Sequence, residues 1–496
     1  MRNLKIFFVI IIALALFSCG GNSSKTEMPL STKSTQAKDL YHEALHLSNI
    51  LRTDKAKEKL LKAINIDTSF GAAYVMLSAF GINTGSETDM YYEKALSLSD
   101  KLNDVEKCFL EIRSSYRNNN TEKRLEYSKK LLTLIPDNAL AHERMSYTYW
   151  EMANIAESRN SLFTAIQKDK NYSPAYDALR RNFMFGNPKD YNKAEEYASK
   201  ALSLNNNESY YHVALGDVYR AKNKLSKAAD KYDDAYEAGT NNYLSAAKAG
   251  HAYTMIDPPE ARKRFDQAIN DARNPGQKIG PEKWKVYTHI HENNFQKAHD
   301  QLMKLKNKLD SYGFSDEKVQ EEMSDVLWHE YFIKAHTGEH DAANTALKKK
   351  KIIDLAIAKK SKNKRAINNA ESFALWLESH LEIMKGDYEL AKKKLGQLKT
   401  MVANENNPQK LDGYHQLMGM ANLMSGNAEI GIEHFEKAVN QMNIYFTYFK
   451  GLAYKSSGNI DKAKEIFQYV ATFNFNGLVY TFVRNRAQEE TAKGQG

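Results

Sequence analysis

A pattern of small and large apolar residues recurs along most of this chain. In its best-preserved copy, residues 215–238, Gly216 and Tyr219 share one face of a predicted helix. Ala228 and Tyr232 share one face of a second predicted helix. Small residues let two helix backbones approach closely, and the tyrosines fill the space at the edges. Because a helix pair this short cannot bury its apolar face alone, the pattern predicts stacked neighbours.

The pattern of the second helix is a small residue, an apolar residue four positions later and a small or apolar residue three positions after that. Its copies are Ala56/Leu60/Ala63, Ala194/Ala198/Ala201, Ala228/Tyr232/Ala235, Ala261/Phe265/Ala268, Ala298/Leu302/Leu305, Ala343/Leu347, Ala391/Leu395/Leu398, Gly431/Phe435/Ala438 and Ala463/Phe467/Val470. From Ala194 onward the leading residues are 32 to 48 positions apart. A period near 34 with helix-turn-helix content resembles the tetratricopeptide repeat (TPR). The resemblance implies an all-α solenoid, a right-handed superhelix of antiparallel helix pairs, over roughly residues 37–476.

Turn-forming residues predict how the array is divided. The runs Asn274-Pro275-Gly276 and Gly280-Pro281 interrupt the helical pattern. We therefore expect an N-terminal array over residues 37–273 and a C-terminal array over residues 281–476. Residues 477–496 are predicted to form a capping helix and a frayed tail.

The N-terminal residues form a predicted targeting segment. Arg2 and Lys5 precede an apolar run, residues 6–16, that is too short for a permanent membrane span, and Cys19 follows. Residues 1–18 resemble the signal peptide of bacterial lipoproteins, although Phe17 departs from the usual small residue. The resemblance implies lipidation of Cys19 by a palmitate-type acyl chain; an ordinary secretory signal is the alternative. Residues 19–36, rich in Gly, Ser, Thr and Lys, are predicted to be a flexible tether.

The residues after Cys19 indicate in which membrane, and on which side of it, the lipoprotein is expected. None directly behind it is acidic, which by resemblance to sorting rules favours the outer membrane. The acidic cluster that resembles a surface-export signal in some Bacteroidetes lipoproteins is also absent from the sequence, which favours a periplasm-facing protein. With Cys19 lipidated only Cys108 remains, so no intrachain disulfide is expected.

Composition and net charge indicate which classes of binding partner are expected. The chain has 496 residues, 42% of them hydrophobic and 26% charged, which fits a soluble helix-rich protein. Removing residues 1–18 lowers the formal net charge from +9 to +7, which is no nucleic-acid signature at this length. The lysine-rich segment 348–365 is interpreted as a solvated helix end, with contact to an acidic partner or phospholipid head groups as the alternative.

One enzyme motif is present. Residues 42–46, HEALH, fit H-E-x-x-H, in which His42 and His46 could hold Zn²⁺ while Glu43 activates water. The resemblance to zinc metalloproteases stops there, because the sequence that follows supplies no third ligand at a familiar spacing. Ala44 and Leu47 explain the same stretch as the apolar stripe of the first repeat's first helix. We therefore predict no catalytic residue, metal or other cofactor.

The inner groove of a TPR array is lined mostly by first helices, and the resemblance implies that peptides or partner domains bind there. Helical phase predicts that ten side chains face this groove: Glu143, Tyr147, Trp150, Tyr210, Val213, Asp217, Arg220, Tyr445, Tyr448 and Lys455. The alternative is that the tyrosines pack between repeats. The family's Lys/Asn clamp for a terminal carboxylate is not matched.

The sequence thus predicts a membrane-tethered, non-catalytic scaffold that binds a protein or peptide in the bacterial envelope. It does not predict the oligomeric state or the pathway. A SusD-like glycan-binding lipoprotein is the second hypothesis, because that family also combines a lipoprotein signal with TPR-like helices. A zinc metalloprotease using residues 42–46 is the third.

Overall fold

The computed structural model describes residues 28–83, 85–118, 120–360, 364–405, 409–439, 443–474 and 476–493, which contain twenty-six α-helices and no strand. The predicted signal peptide and Cys19 lie outside the described residues. The helices are α1 Thr35–Asn49, α2 Thr53–Ile66, α3 Gly71–Ser78, α4 Gly85–Ser97, α5 Asp104–Arg117, α6 Thr121–Leu134, α7 Ala139–Glu151, α8 Ile155–Lys168, α9 Ser173–Phe185, α10 Tyr191–Leu204, α11 Ser209–Ala221, α12 Leu225–Glu237, α13 Asn242–Tyr253, α14 Pro258–Asn270, α15 Pro275–His291, α16 Phe295–Lys308, α17 Asp316–His336, α18 His340–Lys360, α19 Lys364–Lys385, α20 Tyr388–Val402, α21 Asp412–Met424, α22 Ala428–Lys437, α23 Ile444–Ser456, α24 Ile460–Thr472, α25 Leu478–Thr481 and α26 Arg484–Lys493.

The chain forms two compact units, residues 1–189 and 190–496. In the first unit, α1 to α8 pack as four consecutive helix pairs, and α9 packs against α8. In the second unit, α10 packs against α11, and seven helix pairs follow from α11/α12 to α23/α24. Helix α26 packs against α24. This paired packing confirms the all-α solenoid predicted from the repeats.

The predicted repeat residues form the contacts between paired helices. The leading small residue of every one of the nine copies is buried. In the best-preserved copy, the Tyr232 ring is fully buried and lies where a Cβ at Gly216 would come within 2.5 Å of it. The same glycine-to-ring contact joins Gly451 to Phe467. A glycine in the first helix therefore makes room for an aromatic ring of the second.

Gly451→Ala is expected to lower the free energy of unfolding of the second unit by about 1–3 kcal/mol, because overpacking displaces neighbouring groups. An added Cβ would lie 2.8 Å from the Phe467 ring and 3.0 Å from Ile466. Gly396→Ala in α20 is the matched control, since a Cβ there meets open space. That change should stabilise the helix by roughly 0.5–1 kcal/mol. Urea denaturation would measure both variants, and equal effects would contradict the packing argument.

The division of the chain differs from the predicted one at residues 274–281. Asn274 caps α15, its side chain accepting a hydrogen bond from the Gln277 amide at 3.1 Å, and Pro275 is the first helical residue. Pro281 lies inside the same helix. Because a proline at the first helical position needs no amide partner, Asn274-Pro275-Gly276 begins a helix, which continues through Pro281, and the cluster separates no units. The units divide after Lys189.

Both ends of the described chain are more ordered than the predicted tether and frayed tail. Met28 and Thr32 are buried, and Ser31 donates two hydrogen bonds to the Glu106 carboxylate, at 2.9 and 3.0 Å. At the other end, α26 remains helical through Lys493, and its Glu490 forms an ion pair with Lys455 of α23. Among the described helices, none is long and apolar enough to cross a membrane.

Candidate functional site

The first helices of the first unit enclose an apolar cavity. Helices α1, α3, α5 and α7, with the residues that follow α3, line a cavity of about 430 Å³. Its apolar wall includes Tyr41, Val75, Phe80, Phe109, Ile112 and Leu140. We call this surface the N-terminal groove. It is open to solvent at Ala79 and Tyr116, both of which are exposed.

Two guanidinium groups give the N-terminal groove its charge. Arg113 and Arg144 line it, and no Asp or Glu is among its lining residues. Arg113 donates from Nε to the Ser78 hydroxyl at 3.2 Å and from Nη2 to the Ser78 carbonyl. Within the described part of the chain, the Arg144 guanidinium forms no hydrogen bond or ion pair, and it lies 5.7 Å from the centre of the Tyr147 ring. The groove thus combines apolar walls with two cationic side chains and no carboxylate among its lining residues, while Glu143, behind it, partly offsets the charge of Arg144.

The charge on Arg144 is retained despite its burial. Burial by itself lowers the pKa of Arg144, but the adjacent Glu143 and nearby tyrosines outweigh it and raise the net value. Burial lowers the pKa of Arg113, and Arg117 adds to that shift. Arginine stays protonated in either case. Both side chains are therefore cations in the groove.

A polar network lies directly behind Arg144. The buried Glu143 carboxylate accepts hydrogen bonds from the hydroxyls of Tyr147, at 3.2 Å, and Tyr172, at 2.6 Å. Arg181 donates to the Tyr147 hydroxyl at 2.8 Å and pairs with Asp177. Burial raises the pKa of Tyr147 to about 12, and Glu143 adds to the shift. These contacts fix Tyr147, which lines the groove, and hold α7 against α9.

The three residues predicted for the groove in the first unit occupy different places. Tyr147 lines the N-terminal groove, whereas Glu143 lies behind it as a hydrogen-bond acceptor. Trp150 lies against Gly186, after α9, where an added Cβ would come within 3.1 Å of its ring. Sequence reasoning missed Arg113 and Arg144. Their repeats carry weak copies of the pattern, so the sequence did not predict which side of α5 faces the groove.

In the second unit a C-terminal segment, residues 473–474 and 476–493, covers the surface presented by the first helices. Asn474 donates to the Arg220 carbonyl of α11, and the Asn476 amide contacts His251 of α13 at 3.3 Å. Further contacts of the segment include the Asn485 amide donating to the His291 carbonyl at 2.8 Å and the Phe482 ring stacking on His336 at 4.2 Å. The segment therefore crosses four successive first helices, α11, α13, α15 and α17.

The seven predicted groove residues of the second unit take part in packing or internal contacts. Tyr210, Val213, Tyr445 and Tyr448 are all buried. Asp217 accepts a hydrogen bond from the Tyr232 hydroxyl at 2.7 Å and pairs with Lys248 at 2.9 Å. Arg220 is buried beneath the C-terminal segment, and Lys455 pairs with Glu490. The helical phase could not reveal that the C-terminal segment contacts Arg220 and Lys455.

A row of four histidines lies on successive first helices of the second unit, namely His251, His291, His336 and His380. We call it the histidine row. The Tyr445 hydroxyl contacts Nε2 of His336 at 3.1 Å and Nε2 of His380 at 3.0 Å. Burial lowers the pKa of His291 to about 3, and of His336 to about 4. Burial also lowers the pKa of His380 to about 3 and that of His251 well below its usual range. The row is neutral at pH 7.

The H-E-x-x-H residues lie on α1 as part of a repeat helix. Ala44 is buried, whereas Glu43 and His46 are exposed, and Glu43 forms an ion pair with Lys59 of α2. A catalytic zinc site uses three protein ligands. In the stretches of chain given above, no group of three His, Cys, Asp or Glu side chains is close enough to hold a metal ion.

The lysine-rich segment is divided between inward and outward side chains. Lys350 is buried and bonds Asp354 at 2.9 Å and the Ser324 hydroxyl at 2.8 Å. Lys351 pairs with Glu378 at 2.8 Å. Lys348 and Lys349 are exposed. The run is therefore partly a set of packing contacts, and only some of its charge faces solvent.

Another cavity, of about 570 Å³, lies in the second unit and is rich in aromatic side chains. Trp328, Phe373 and Trp376 line it, and the last two rings stack at 5.9 Å with an angle of 10°. Its lining includes Gln409 and Asn443, which adjoin residues outside the described ranges. The N-terminal groove has a fully described wall and is the better-defined candidate site.

The paired helices and buried repeat residues define an all-α solenoid of the TPR type, a fold that suggests a protein-interaction scaffold. No family model matches the chain, and no curated protein matches it. The chain is similar to several solved structures of low identity. MamA is 20% identical over 32% of this chain and 93% of its own, with a TM-score of 0.29. A TPR protein from Parabacteroides merdae is 11% identical, covering 58% of this chain and 98% of its own, with a TM-score of 0.31. The C-terminal part of a TPR repeat-containing protein from Cytophaga hutchinsonii is 16% identical, covering 52% of this chain and 97% of its own, with a TM-score of 0.36.

Proposed function

We propose that this protein is a non-catalytic scaffold that binds a protein or peptide partner in the N-terminal groove. The observation that carries the proposal is an open apolar cavity of about 430 Å³ on the first helices of four consecutive repeats. This volume lies within the range of about 300–1,000 Å³ usual for ligand sites. The corresponding surface of the second unit is covered by the C-terminal segment, which directs the search for a partner to the first unit.

We further propose that a lipid on Cys19 tethers the scaffold to the outer membrane, facing the periplasm. The support is the sequence of residues 1–19, which resembles a lipoprotein signal, and the lack of an acidic residue directly after the cysteine. A scaffold held this way would present the N-terminal groove close to the membrane, since α1 begins only sixteen residues after Cys19, at Thr35.

A photocrosslinking residue placed at Ala79, at the open edge of the groove, is expected to trap a partner protein in cells. The same residue at Lys129, exposed on the second helix α6, is the matched control and should trap less. Cys19→Ala should move the protein from the membrane fraction to the soluble fraction of the same cells. Equal crosslinking from both positions would contradict groove binding, and unchanged fractionation of the Cys19 variant would contradict the lipid tether.

Glycan binding is the second candidate function, and the aromatic cavity of the second unit favours it. The Trp328 indole nitrogen is buried there and, within the described residues, has no hydrogen-bond acceptor. Stacked aromatic rings beside side-chain amides are suited to a sugar, which presents both C–H faces and hydroxyl groups. Glycan-array binding that is lost in Trp376→Ala, without crosslinking at Ala79, would favour this function over the scaffold.

A further inference from the structure

We propose that the N-terminal groove selects an acidic, apolar peptide: a short segment that places bulky apolar side chains in the cavity and aspartate or glutamate side chains on Arg113 and Arg144. This inference rests on the proposed scaffold function and names the chemistry of the partner. It depends on three features of the groove: its two arginine side chains, its apolar walls and its extent over four helices.

The two arginine side chains favour a negatively charged ligand. Arg144 lines the cavity without an ion-pair partner in the described residues, and its nearest carboxylate, Glu143, accepts hydrogen bonds from two tyrosine hydroxyls. Arg113 uses Nε and Nη2 on Ser78 and has a further guanidinium nitrogen, Nη1. A cation in an apolar site gains most from a carboxylate that completes its hydrogen bonding. A basic peptide would instead bring like charges together at high cost.

The apolar walls favour a peptide that carries bulky apolar side chains beside its acidic ones. Tyr41, Val75 and Leu140 each lose most of their surface to neighbouring helices, yet still border the cavity. Phe109 and Ile112 on α5 form the wall between them. Filling such a cavity with aliphatic or aromatic side chains removes apolar surface from water on both partners, at about 25 cal/mol per Å². A purely acidic peptide would leave that gain unused.

The length of the groove favours a peptide over a small organic acid. It spans the first helices of four consecutive repeats, α1, α3, α5 and α7. Tyr41 of α1 and Arg144 of α7 lie close enough to interact electrostatically, so a short stretch of peptide can reach all four helices. Arg113 and Arg144, on α5 and α7, border the same cavity as the apolar side chains of α1 and α3. The peptide's acidic and bulky apolar side chains are therefore expected close together in its sequence.

Isothermal titration of the full chain with three synthetic peptides tests the inference. The first has eight residues, with three leucine or phenylalanine residues, then two aspartates, serine elsewhere and an amidated C terminus. The second has asparagine in place of aspartate, and the third has lysine. We expect the aspartate peptide to bind at least tenfold more tightly than the asparagine peptide, and the lysine peptide not to bind. Affinity for the aspartate peptide should fall with added salt.

Variants of groove residues test whether Arg144 causes the preference for the aspartate peptide. Arg144→Met should weaken the aspartate peptide about tenfold and leave the asparagine peptide unchanged, while Arg144→Glu should reverse the preference toward the lysine peptide. Lys129→Met is the control, because Lys129 is exposed on the second helix α6 and does not line the groove. Ala79→Trp adds bulk at an exposed edge and should abolish binding of every peptide while leaving the thermal melt unchanged.

Three outcomes would overturn the inference: equal affinity for the aspartate and asparagine peptides, no loss of affinity in Arg144→Met, or binding of decanoate but of none of the peptides. These outcomes leave the scaffold function standing if crosslinking at Ala79 still traps a protein. If the purified protein binds peptides with the expected charge preference but crosslinking at Ala79 traps no protein in cells, the scaffold function is contradicted and the peptide preference is not.

Discussion

Phe482→Ala is expected to lower the free energy of unfolding of the second unit by about 3–5 kcal/mol, the usual cost of deleting a buried phenylalanine ring. The Phe482 ring is 4% exposed, stacks on His336 at 4.2 Å and lies parallel to Phe295 at 6.1 Å. Its removal leaves a cavity between the C-terminal segment and the first helices. Deleting residues 477–496 should cost still more, because Leu478, Tyr480 and Val483 are also buried.

Tryptophan fluorescence during urea denaturation measures this effect, since three of the four tryptophans, Trp284, Trp328 and Trp376, lie in the second unit. Ile352→Ala is the control: Ile352 is 69% exposed on α18, and its truncation should change stability by no more than about 0.5 kcal/mol. A Phe482 variant as stable as the Ile352 variant would show that the C-terminal segment is not part of the core of the second unit.

Acid is expected to destabilise the second unit below about pH 6.5, where the unfolded chain begins to protonate its histidines. The histidine row stays neutral in the folded state, because burial lowers the pKa of His291 and His380 to about 3 and that of His336 to about 4. The unfolded state therefore binds more protons between pH 6.5 and about 3, so the stability present above pH 6.5 is lost as the pH falls. Each such histidine contributes a slope of up to about 1.4 kcal/mol per pH unit.

Charges around the histidine row act in the same direction as burial. The cationic side chains that lower these pKa values further are Arg220 and Lys248 at His251, Arg484 at His291 and Arg486 at His336. Free energies of unfolding measured from pH 8 to pH 5 should show the slope. His336→Gln should reduce it by about one proton, whereas His46→Gln, at an exposed position of the first unit, should leave it unchanged. An identical slope in both variants would exclude the histidine row as the cause.

Much of the fold follows from residues whose partners lie nearby in sequence. Gly216 and Tyr232 come from one helix pair, for which the sequence predicted close approach of the two helices, and the structure places the ring over the glycine. Pro275 shows where this reasoning failed. Proline and glycine interrupt helices in general, but proline at the first helical position starts one, and the capping contact of Asn274 decides between the two.

The site was less predictable because it depends on contacts distant in sequence. Asp217 and Arg220 are off the packing face of their own helix pair, which made them candidates for binding. Instead, Lys248 pairs with the Asp217 carboxylate, and Asn474, 254 positions away, donates to the Arg220 backbone carbonyl. Arg144 shows the opposite error. It lies next to Glu143 in a repeat with a weak pattern, and only the neighbouring helices α1, α3 and α5 reveal that it borders an open cavity.

The position of the C-terminal segment also sets an order of events during synthesis. All the helices of the first unit are complete long before residues 473–493 leave the ribosome, so that unit has what it needs to fold early. The second unit must wait for the last residues of the chain before His336 and its neighbours are covered. A stop codon just before residue 473 would therefore spare the N-terminal groove and leave a long apolar surface exposed in the second unit, a ready target for chaperones and proteases.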